Sequence, residues 1–241
     1  MRKASGTSID IYERYADQYD AGRFECVCGK LQNETEIRIV TRLIHQRGRI
    51  LDAGAGTGRM ATAMVGVAIN VVGVDTSQRM LTLAKERADR MGLASRVSLV
   101  RADVRSLPFK ASSFSAVVSI RVLSHYQDLD PIIDELGRVL KLGGEIVLDA
   151  SSPFAAIYRR LIPSIHIPSA ADSFHTVRDL RHAMGTNGTE ISTVESYSIL
   201  PPSMMHRTIC VHFREKAVGL LRRAIQTRHG LLTILRGVKR A

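Results

Sequence analysis

Glycine and aspartate residues follow the candidate strands of this chain at a spacing that can hold a ligand. The segment 50–59, ILDAGAGTGR, ends a candidate strand at Asp52 and turns through Gly54, Gly56 and Gly58 into a candidate helix. Glycines this close let the backbone pass hard against a ligand, where any Cβ would clash. Such a turn is typical of a nucleotide-like ligand at the carboxyl end of a sheet. The dinucleotide fingerprint is excluded because residue 59 is not Gly, and the P-loop because no Gly-Lys-Ser/Thr follows.

Two further aspartates close the next two candidate strands. Asp75 can accept hydrogen bonds from both hydroxyls of a ribose. The alternative is a helix N-cap, but Thr76 or Ser77 can take that role. Asp103, followed by Val104, can hold the exocyclic amine of an adenine, although an isolated Asp is more often a turn residue.

The elements around these residues alternate between strand and helix from about residue 48 onward, which predicts a doubly wound α/β fold. The runs 71–74 and 116–118 are apolar without alternation, as in strands covered on both faces, so the sheet is predicted to be mostly parallel. The predicted strands are 49–52, 70–75, 97–103, 114–119, 145–149, 190–200 and 230–238.

Helix boundaries have their own signals. A helical pattern covers 34–46, and shorter ones cover 59–65 and 213–223. Gly92 is predicted to end the helix that begins at Thr76 or Ser77. Asp130–Pro131 should open a helix that Gly143–Gly144 closes, and Thr176 with Asp179 predicts a capping box.

Taken together, five motifs resemble the class I S-adenosylmethionine-dependent methyltransferases, most closely the small-molecule branch with the ubiquinone and menaquinone biosynthesis enzymes. The resemblance covers about residues 9–150. It implies a Rossmann-like, seven-stranded, mostly parallel sheet with the last strand antiparallel. The motifs, in order, are LDAGAGTG at 51–58, GVD at 73–75, ADV at 102–104 with LPF at 107–109, FSAVVS at 114–119 and LKLGG at 140–144.

The same resemblance implies S-adenosyl-L-methionine as cofactor and S-adenosyl-L-homocysteine as product. It assigns the glycines to the methionine moiety, Asp52 to shaping their loop, Asp75 to the ribose, and Asp103 with Val104 to the adenine, which Met80 flanks. The cofactor-binding residues it implies are Asp52, Gly54, Ala55, Gly56, Gly58, Asp75, Thr76, Met80, Asp103, Val104 and Ser119.

The N-terminal segment 12–20, YERYADQYD, looks like the tyrosine-bearing lid of this family, in which Tyr15 and Tyr19 would close over cofactor and substrate. The alternative is an amphipathic helix whose tyrosines pack on the core. Two positions depart from the family pattern: Ser115 stands where Asp is common, and Arg121 where small or polar residues are common.

Methyl transfer of this kind works chiefly by aligning the acceptor and excluding water. An acceptor hydroxyl or acidic carbon also requires a base, for which His125 is the candidate. His175 is a second candidate on the substrate side, and a structural role is the alternative for both. No His/carboxylate cluster has metal-ligand spacing, so we expect no metal dependence.

The segment 151–175 is rich in apolar residues around Arg159–Arg160, which suggests a lid over an apolar acceptor such as a quinone, isoprenoid, lipid or natural product. The atom that is methylated and the oligomeric state are not determined by the sequence. We expect one domain over 1–241, comprising an N-terminal helical lid (1–47), a cofactor-binding core (48–150), and a substrate-lid insert with C-terminal strands (151–241).

The charge of the chain leaves other functions open. The net charge is +11, and residues 151–241 carry 13 Lys and Arg against 5 Asp and Glu. This excess would suit an RNA methyltransferase, but aromatic interleaving is sparse and no RNA-binding module is recognisable. A non-catalytic scaffold that binds the cofactor is another alternative. The basic segment 213–228 can attach to an anionic membrane or simply form the helix before the last strand.

Composition excludes several classes of protein. Of the residues, 45% are hydrophobic and 24% charged, with 18 Gly and 7 Pro, so a disordered or collagen-like chain is excluded. No apolar stretch is long enough to span a bilayer and no secretory signal is recognisable, so we expect a cytoplasmic location. The three cysteines do not form a disulfide framework or a zinc knuckle.

Overall fold

The computed structural model describes residues 8–24, 27–151, 173–197 and 232–240. Most of the predicted acceptor lid and the basic segment 213–228 lie outside these ranges. The helices are α1 (Ser8–Phe24), α2 (Val27–Leu43), α3 (Arg59–Met64), α4 (Gln78–Arg90), α5 (Asp130–Val139) and α6 (Val177–Thr186). The strands are β1 (Arg49–Ala53), β2 (Asn70–Asp75), β3 (Val97–Arg101), β4 (Phe114–Ser119), β5 (Leu140–Ser151), β6 (Thr189–Tyr197) and β7 (Leu232–Lys239).

The strands form one seven-stranded sheet in the order β3-β2-β1-β4-β5-β7-β6. β1 to β5 pair in parallel, whereas β7 is antiparallel to both β5 and β6. Only the last strand therefore runs against the other six. This arrangement confirms the predicted Rossmann-like fold and brings the carboxyl ends of β1, β2 and β4 together at the centre of one edge.

Two hydrophobic clusters cover the two faces of the sheet. In β1, Leu51 belongs to the cluster that packs beneath α5 and α6, and its neighbour Ile50 belongs to the cluster beneath α2 and α3. Both side chains are fully buried. Successive residues of a strand point to opposite faces, so an unbroken apolar run is required where helices cover both.

The predicted end of α5 is wrong. The helix stops at Val139, and the two glycines at 143 and 144 lie inside β5. There the pairing jumps from Phe114 with Leu140 to Ala116 with Glu145, so several residues of β5 bulge opposite one residue of β4. Gly143 has φ +71°, a left-handed conformation suited to this bulge as well as to a helix end.

Two predicted helix starts are confirmed. Ser77 is the N-cap of α4, and its hydroxyl accepts a hydrogen bond from the backbone N–H of Met80 at 3.1 Å. Thr176 and Asp179 form the expected reciprocal capping box of α6. In the ranges that the structure describes, none of the helices is long and apolar enough to cross a lipid bilayer.

Candidate active site

A cleft lies at the carboxyl ends of the central strands. β1 is flanked by β2 on one side and β4 on the other. The loops that follow β1 and β4 therefore lead toward opposite faces of the sheet and leave a crevice between them, the usual ligand position in such sheets. The cleft and its open mouth together contain about 1070 Å³ of space free of protein atoms.

The glycine loop forms one wall of this cleft. Gly54, Gly56 and Gly58 all have positive φ, between +52° and +83°. A Cβ at Gly54 would collide with Val122, and one at Gly58 would approach Ala84 to 2.8 Å. A Cβ at Gly56 would meet no protein atom within 4 Å. Gly54 and Gly58 are thus required by packing, whereas the backbone at Gly56 is open to a ligand.

Asp75 holds the glycine loop from the end of β2. Its carboxylate accepts hydrogen bonds from the backbone N–H of Gly56 at 2.8 Å and of Ser77 at 2.9 Å. Burial raises the pKa of Asp75, while these N–H groups partly oppose the increase. Thr76, which follows, also lines the cleft, and the capping role falls to Ser77.

Asp52 lies below the same loop, 2% exposed. Burial raises the pKa of its carboxyl group to about 7, although the positive charge of Arg59 opposes the shift. Its Oδ2 atom is buried and has no hydrogen-bond partner among the described residues. Because buried polar atoms in proteins are nearly always paired, this oxygen points to a donor or a cation that a ligand would bring.

The other wall of the cleft comes from the end of β3 and the start of α4. Val104 and Met80 are buried there and line the cleft together with Asp103. Asp103 forms an ion pair with Arg105 at 2.6 Å. Hydrogen bonds from Arg105 lower the pKa of Asp103, so its carboxylate is ionised. The guanidinium of Arg105 also lies 5.4 Å from the ring centre of Tyr126.

Ser119, like Gly58, is a predicted cofactor residue that does not line the cleft. It is fully buried at the end of β4, and its hydroxyl donates a hydrogen bond to the carbonyl oxygen of Ala53 at 2.9 Å. The hydroxyl therefore ties β4 to β1 beneath the glycine loop.

A buried charge cluster forms the floor of the cleft next to β4. Arg121, with φ +65°, and Arg59 both form ion pairs with Glu36 of α2. The hydroxyl of Tyr197 donates to the same carboxylate at 2.7 Å, and the backbone N–H of Arg121 donates to Asp149 at 2.9 Å. Sequence analysis missed this cluster, and the unusual Arg121 was its only signal.

The pKa values in this cluster follow from burial and from the two guanidinium groups. Burial alone would raise the pKa of Glu36, but the charges of Arg121 and Arg59 lower it to about 2. Burial raises the pKa of Asp149 to about 6, because the backbone N–H and the charge of Arg121 oppose this shift only in part. Glu36 is therefore ionised at neutral pH and neutralises one of the two arginines.

Helix α1 covers the mouth of the cleft. Tyr12 and Tyr19 line the cleft, whereas Tyr15 does not and is 48% exposed. The hydroxyl of Tyr12 lies 3.0 Å from Nε2 of His125, with the two rings edge to face. Tyr12 was part of the motif that suggested a lid, but sequence alone did not single it out; the fold pairs it with the candidate base.

Acidic residues on α1 attach this helix to α4 and to the glycine loop. Asp17 forms an ion pair with Arg79 of α4, and Asp20 forms one with Arg87. Asp20 also accepts a hydrogen bond from the hydroxyl of Thr57 in the glycine loop at 2.8 Å. Closure of the cleft by α1 is thus stabilised largely by exposed and half-exposed charges.

His175 lies outside the cleft lining. Its Nε2 atom is 2.7 Å from the carbonyl oxygen of Tyr126, a residue that does line the cleft. The structure thus places His125 in the lining of the cleft, whereas His175 lies outside that lining and contacts it through Tyr126. Among the described residues, no group of three or more His, Cys, Asp or Glu side chains could hold a metal ion.

The chain is similar to known proteins in its sequence and in its fold. Residues 51–148 match the family model described as a methyltransferase domain. The chain is 30% identical over 138 residues to a phosphatidylethanolamine N-methyltransferase of Cereibacter sphaeroides, an alignment that covers 55% of this chain and 68% of the relative. It is 39% identical over 113 residues to a demethylmenaquinone methyltransferase of Clavibacter sepedonicus, covering 46% of this chain and 45% of the relative.

The fold is also that of a solved S-adenosylmethionine-dependent methyltransferase from Thermotoga maritima, with a TM-score of 0.70, 20% identity, and coverage of 96% of this chain and 99% of that one. The chain spans about half the length of most of the curated relatives it matches, but more than two thirds of the Cereibacter relative. The chain therefore belongs to the small-molecule branch of the class I S-adenosylmethionine-dependent methyltransferases.

Proposed function

We propose that this protein transfers a methyl group from S-adenosyl-L-methionine to a small, predominantly apolar acceptor such as a quinone, an isoprenoid, a lipid or a natural product. The observation that carries the proposal is one cleft in which buried carboxylates and an open glycine loop face a tyrosine and a histidine. The names of two relatives, a phosphatidylethanolamine N-methyltransferase and a demethylmenaquinone methyltransferase, support this acceptor class.

The residues present fit the methionine end of the cofactor. The unpartnered Oδ2 atom of Asp52 is a buried acceptor that an ammonium group would satisfy. The open space beside Gly56 lets a ligand approach the backbone where a side chain would otherwise stand. Asp52 would thus hold the amino group of the cofactor, and the glycine loop would form the wall beside it.

The nucleoside end has matching groups on the other strands. Each carboxylate oxygen of Asp75 accepts one backbone N–H and retains a further lone pair, as two ribose hydroxyls require. Met80 and Val104 supply apolar surface for an adenine ring, and Asp103 supplies an acceptor for its amine. Because the guanidinium of Arg105 already donates to both oxygens of Asp103, an adenine amine would share this carboxylate with the guanidinium.

When bound, the cofactor supplies a methyl group on a positively charged sulfur, which is an electrophile. The part left to the protein is to align the acceptor with this methyl group and to exclude water. Tyr12 and Tyr19 of α1 face the cleft and would form the cover over the acceptor. Tyrosine rings can flank an apolar acceptor while their hydroxyls serve as polar contacts.

His125 would take the proton of an acceptor hydroxyl or acidic carbon. Burial raises the pKa of Tyr12, so this phenol stays protonated and can donate to Nε2 of His125. This hydrogen bond favours the neutral histidine tautomer whose lone pair is on Nε2. Tyr12 would therefore keep the base in its proton-accepting form until the acceptor arrives.

Calorimetric titration with S-adenosyl-L-methionine tests the cofactor site. We expect micromolar affinity, about −8 kcal/mol, and a loss of at least tenfold in Asp75→Ala. Asp89→Ala, which removes an exposed carboxylate of α4 that pairs with Lys85 and does not line the cleft, is the matched control and should bind as the wild type does. Failure of the folded wild-type protein to bind would refute the proposal.

Formation of S-adenosyl-L-homocysteine in the presence of quinol, isoprenoid and phospholipid acceptors tests the second half of the proposal. Turnover with a member of one class, reduced in His125→Ala, would identify both the acceptor class and the base. Tight cofactor binding without turnover on any apolar acceptor would favour the non-catalytic scaffold instead.

A further inference from the structure

The end of the sheet opposite the cleft carries a row of basic residues. Five short segments meet there, at the amino ends of β1 to β5: residues 44–49, 65–70, 91–96, 109–113 and 140–144. None of these segments contains Asp or Glu. Together they present five exposed cations, which we call the basic edge: Arg47, Arg49, Arg96, Lys110 and Lys141.

The segments that make up the basic edge are joined by direct contacts. The backbone N–H of Ile69 donates to the carbonyl oxygen of Gly48 at 3.0 Å, and the guanidinium of Arg96 donates to that of Ile69 at 3.2 Å. The guanidinium of Arg49 lies 4.8 Å from the ring centre of Phe114. Because these partners are carbonyls and aromatic rings, they leave the positive charges uncompensated; no described carboxylate pairs with these cations.

Large apolar side chains protrude from the same segments. Ile69 is 67% exposed, Met91 56% and Leu142 65%. Leu142 lies beside Lys141 in the bulge of β5, and Met91 ends α4 just before the segment that holds Arg96. Half of the large hydrophobic side chains that are exposed among the described residues therefore lie on this one end of the molecule.

The spacing of these side chains identifies the partner. β3 and β5 are separated by four strand spacings of about 4.8 Å, so the row is about 19 Å long. The core of a protein–protein interface is depleted of charged residues, Lys among them, whereas the apolar side chains here alternate with cations along the row. Scattered apolar side chains among Lys and Arg match the surface of a bilayer, where lipid phosphates attract the cations and single side chains enter the headgroup region.

We propose that the basic edge docks this protein on an anionic lipid membrane. The surface is distinct from the basic segment 213–228, and the inference does not depend on the proposed enzymatic function. Docking through this edge turns the mouth of the cleft away from the bilayer, because the cleft lies at the opposite ends of the same strands. Membrane binding and cofactor binding should therefore be separable by mutation.

Sedimentation with phosphatidylcholine vesicles, with and without phosphatidylglycerol, tests the docking at low ionic strength. We expect binding only to the anionic vesicles. A triple reversal, Arg47→Glu, Lys110→Glu and Lys141→Glu, should weaken it by more than about a hundredfold, because loss of one cation near such a surface costs about fivefold and each reversal also adds a negative charge. The matched control, Arg14→Glu, Lys30→Glu and Lys85→Glu, changes three exposed cations elsewhere and lowers the net charge equally. Equal loss in both triple variants, or equal binding to neutral vesicles, would overturn the proposal.

Fluorescence distinguishes insertion into lipid from attraction to any polyanion. The chain contains no Trp, so Leu142→Trp introduces a single reporter. Its emission should shift to shorter wavelength on anionic vesicles, whereas that of Val194→Trp, on edge strand β6, should not. Binding to RNA that competes with the vesicles, without any shift from Leu142→Trp, would assign the edge to nucleic acid and refute membrane docking. Calorimetry with S-adenosyl-L-methionine on the same variants should show unchanged affinity, whatever the outcome of the vesicle assay.

Discussion

Replacement of Glu36 should destabilise the protein far more than replacement of its exposed helix neighbour Glu34. The Glu36 carboxylate is 1% exposed and binds Arg121, Arg59 and the hydroxyl of Tyr197. Glu36→Ala would leave the guanidinium groups of Arg59 and Arg121 buried without their shared carboxylate partner. Removal of one partner from a buried ion pair costs about 3–5 kcal/mol.

The pKa of Glu36 supports this magnitude. In the folded protein it is lowered from 4.5 to about 2, and at about 1.36 kcal/mol per pH unit this corresponds to about 3 kcal/mol. Because the pKa is lower in the folded state, the stabilisation is present above pH 4.5 and is lost as the pH falls through the folded value. The difference in the free energy of unfolding between the wild type and Glu36→Ala should therefore be largest near pH 7 and should decrease below pH 4.

Thermal unfolding followed by circular dichroism measures this difference. For a chain of this length, 3–5 kcal/mol corresponds to a decrease in Tm of about 6–20 °C. Glu34→Ala, on the exposed side of α2, should change Tm little. Glu36→Ala combined with Arg121→Met should recover part of the loss, since it removes one of the unpaired charges. A Tm for Glu36→Ala close to that of Glu34→Ala, or no recovery in the double variant, would refute the reasoning.

Three further predictions concern the cleft. Cofactor binding near pH 7 should release about half a proton from Asp52, because the pKa of its carboxyl group is about 7 in the free protein. Calorimetry in two buffers of different ionisation enthalpy should detect this release in the wild type and not in Asp52→Asn. Tyr12→Phe removes the hydrogen bond to His125 and should lower turnover about 100-fold with cofactor affinity retained; unchanged turnover and pH profile would reduce Tyr12 to a packing role. Asp20→Asn removes the ion pair with Arg87. It should speed hydrogen exchange in α1, while the free energy of unfolding falls by less than about 1 kcal/mol. Exchange as slow as in the wild type would contradict the attachment of this helix by ion pairs.

The bulge in β5 shows where local sequence signals stop being sufficient. Gly143–Gly144 is a good helix end by composition, yet α5 stops four residues earlier, at Val139. A left-handed glycine serves a helix end and a strand bulge equally well. Pairing of β5 with β4 decides between them, and this pairing depends on residues far away in the chain.

The lid tyrosines show the same limit for the site. Tyr12, Tyr15 and Tyr19 lie within about a sixth of a turn of one another on an ideal helix, so periodicity cannot separate them. Only Tyr12 and Tyr19 face the cleft, because α1 is oriented by the ion pairs that Asp17 and Asp20 make with α4. Likewise, the position of Ser119 at a strand end does not reveal that its hydroxyl is used by Ala53.

The sequence by itself determined the succession of strands along the chain, the glycine loop, the strand-end aspartates and the helix caps of α4 and α6. These features are local: a short apolar run, a turn that needs glycine, or a side chain that bonds within its own helix end. Only the tertiary structure decided that Glu36 neutralises Arg121, that Tyr12 pairs with His125, and that the basic edge gathers five separate segments. Each of these depends on groups that are distant in the chain, and only the packing of the complete sheet and its helices brings them together.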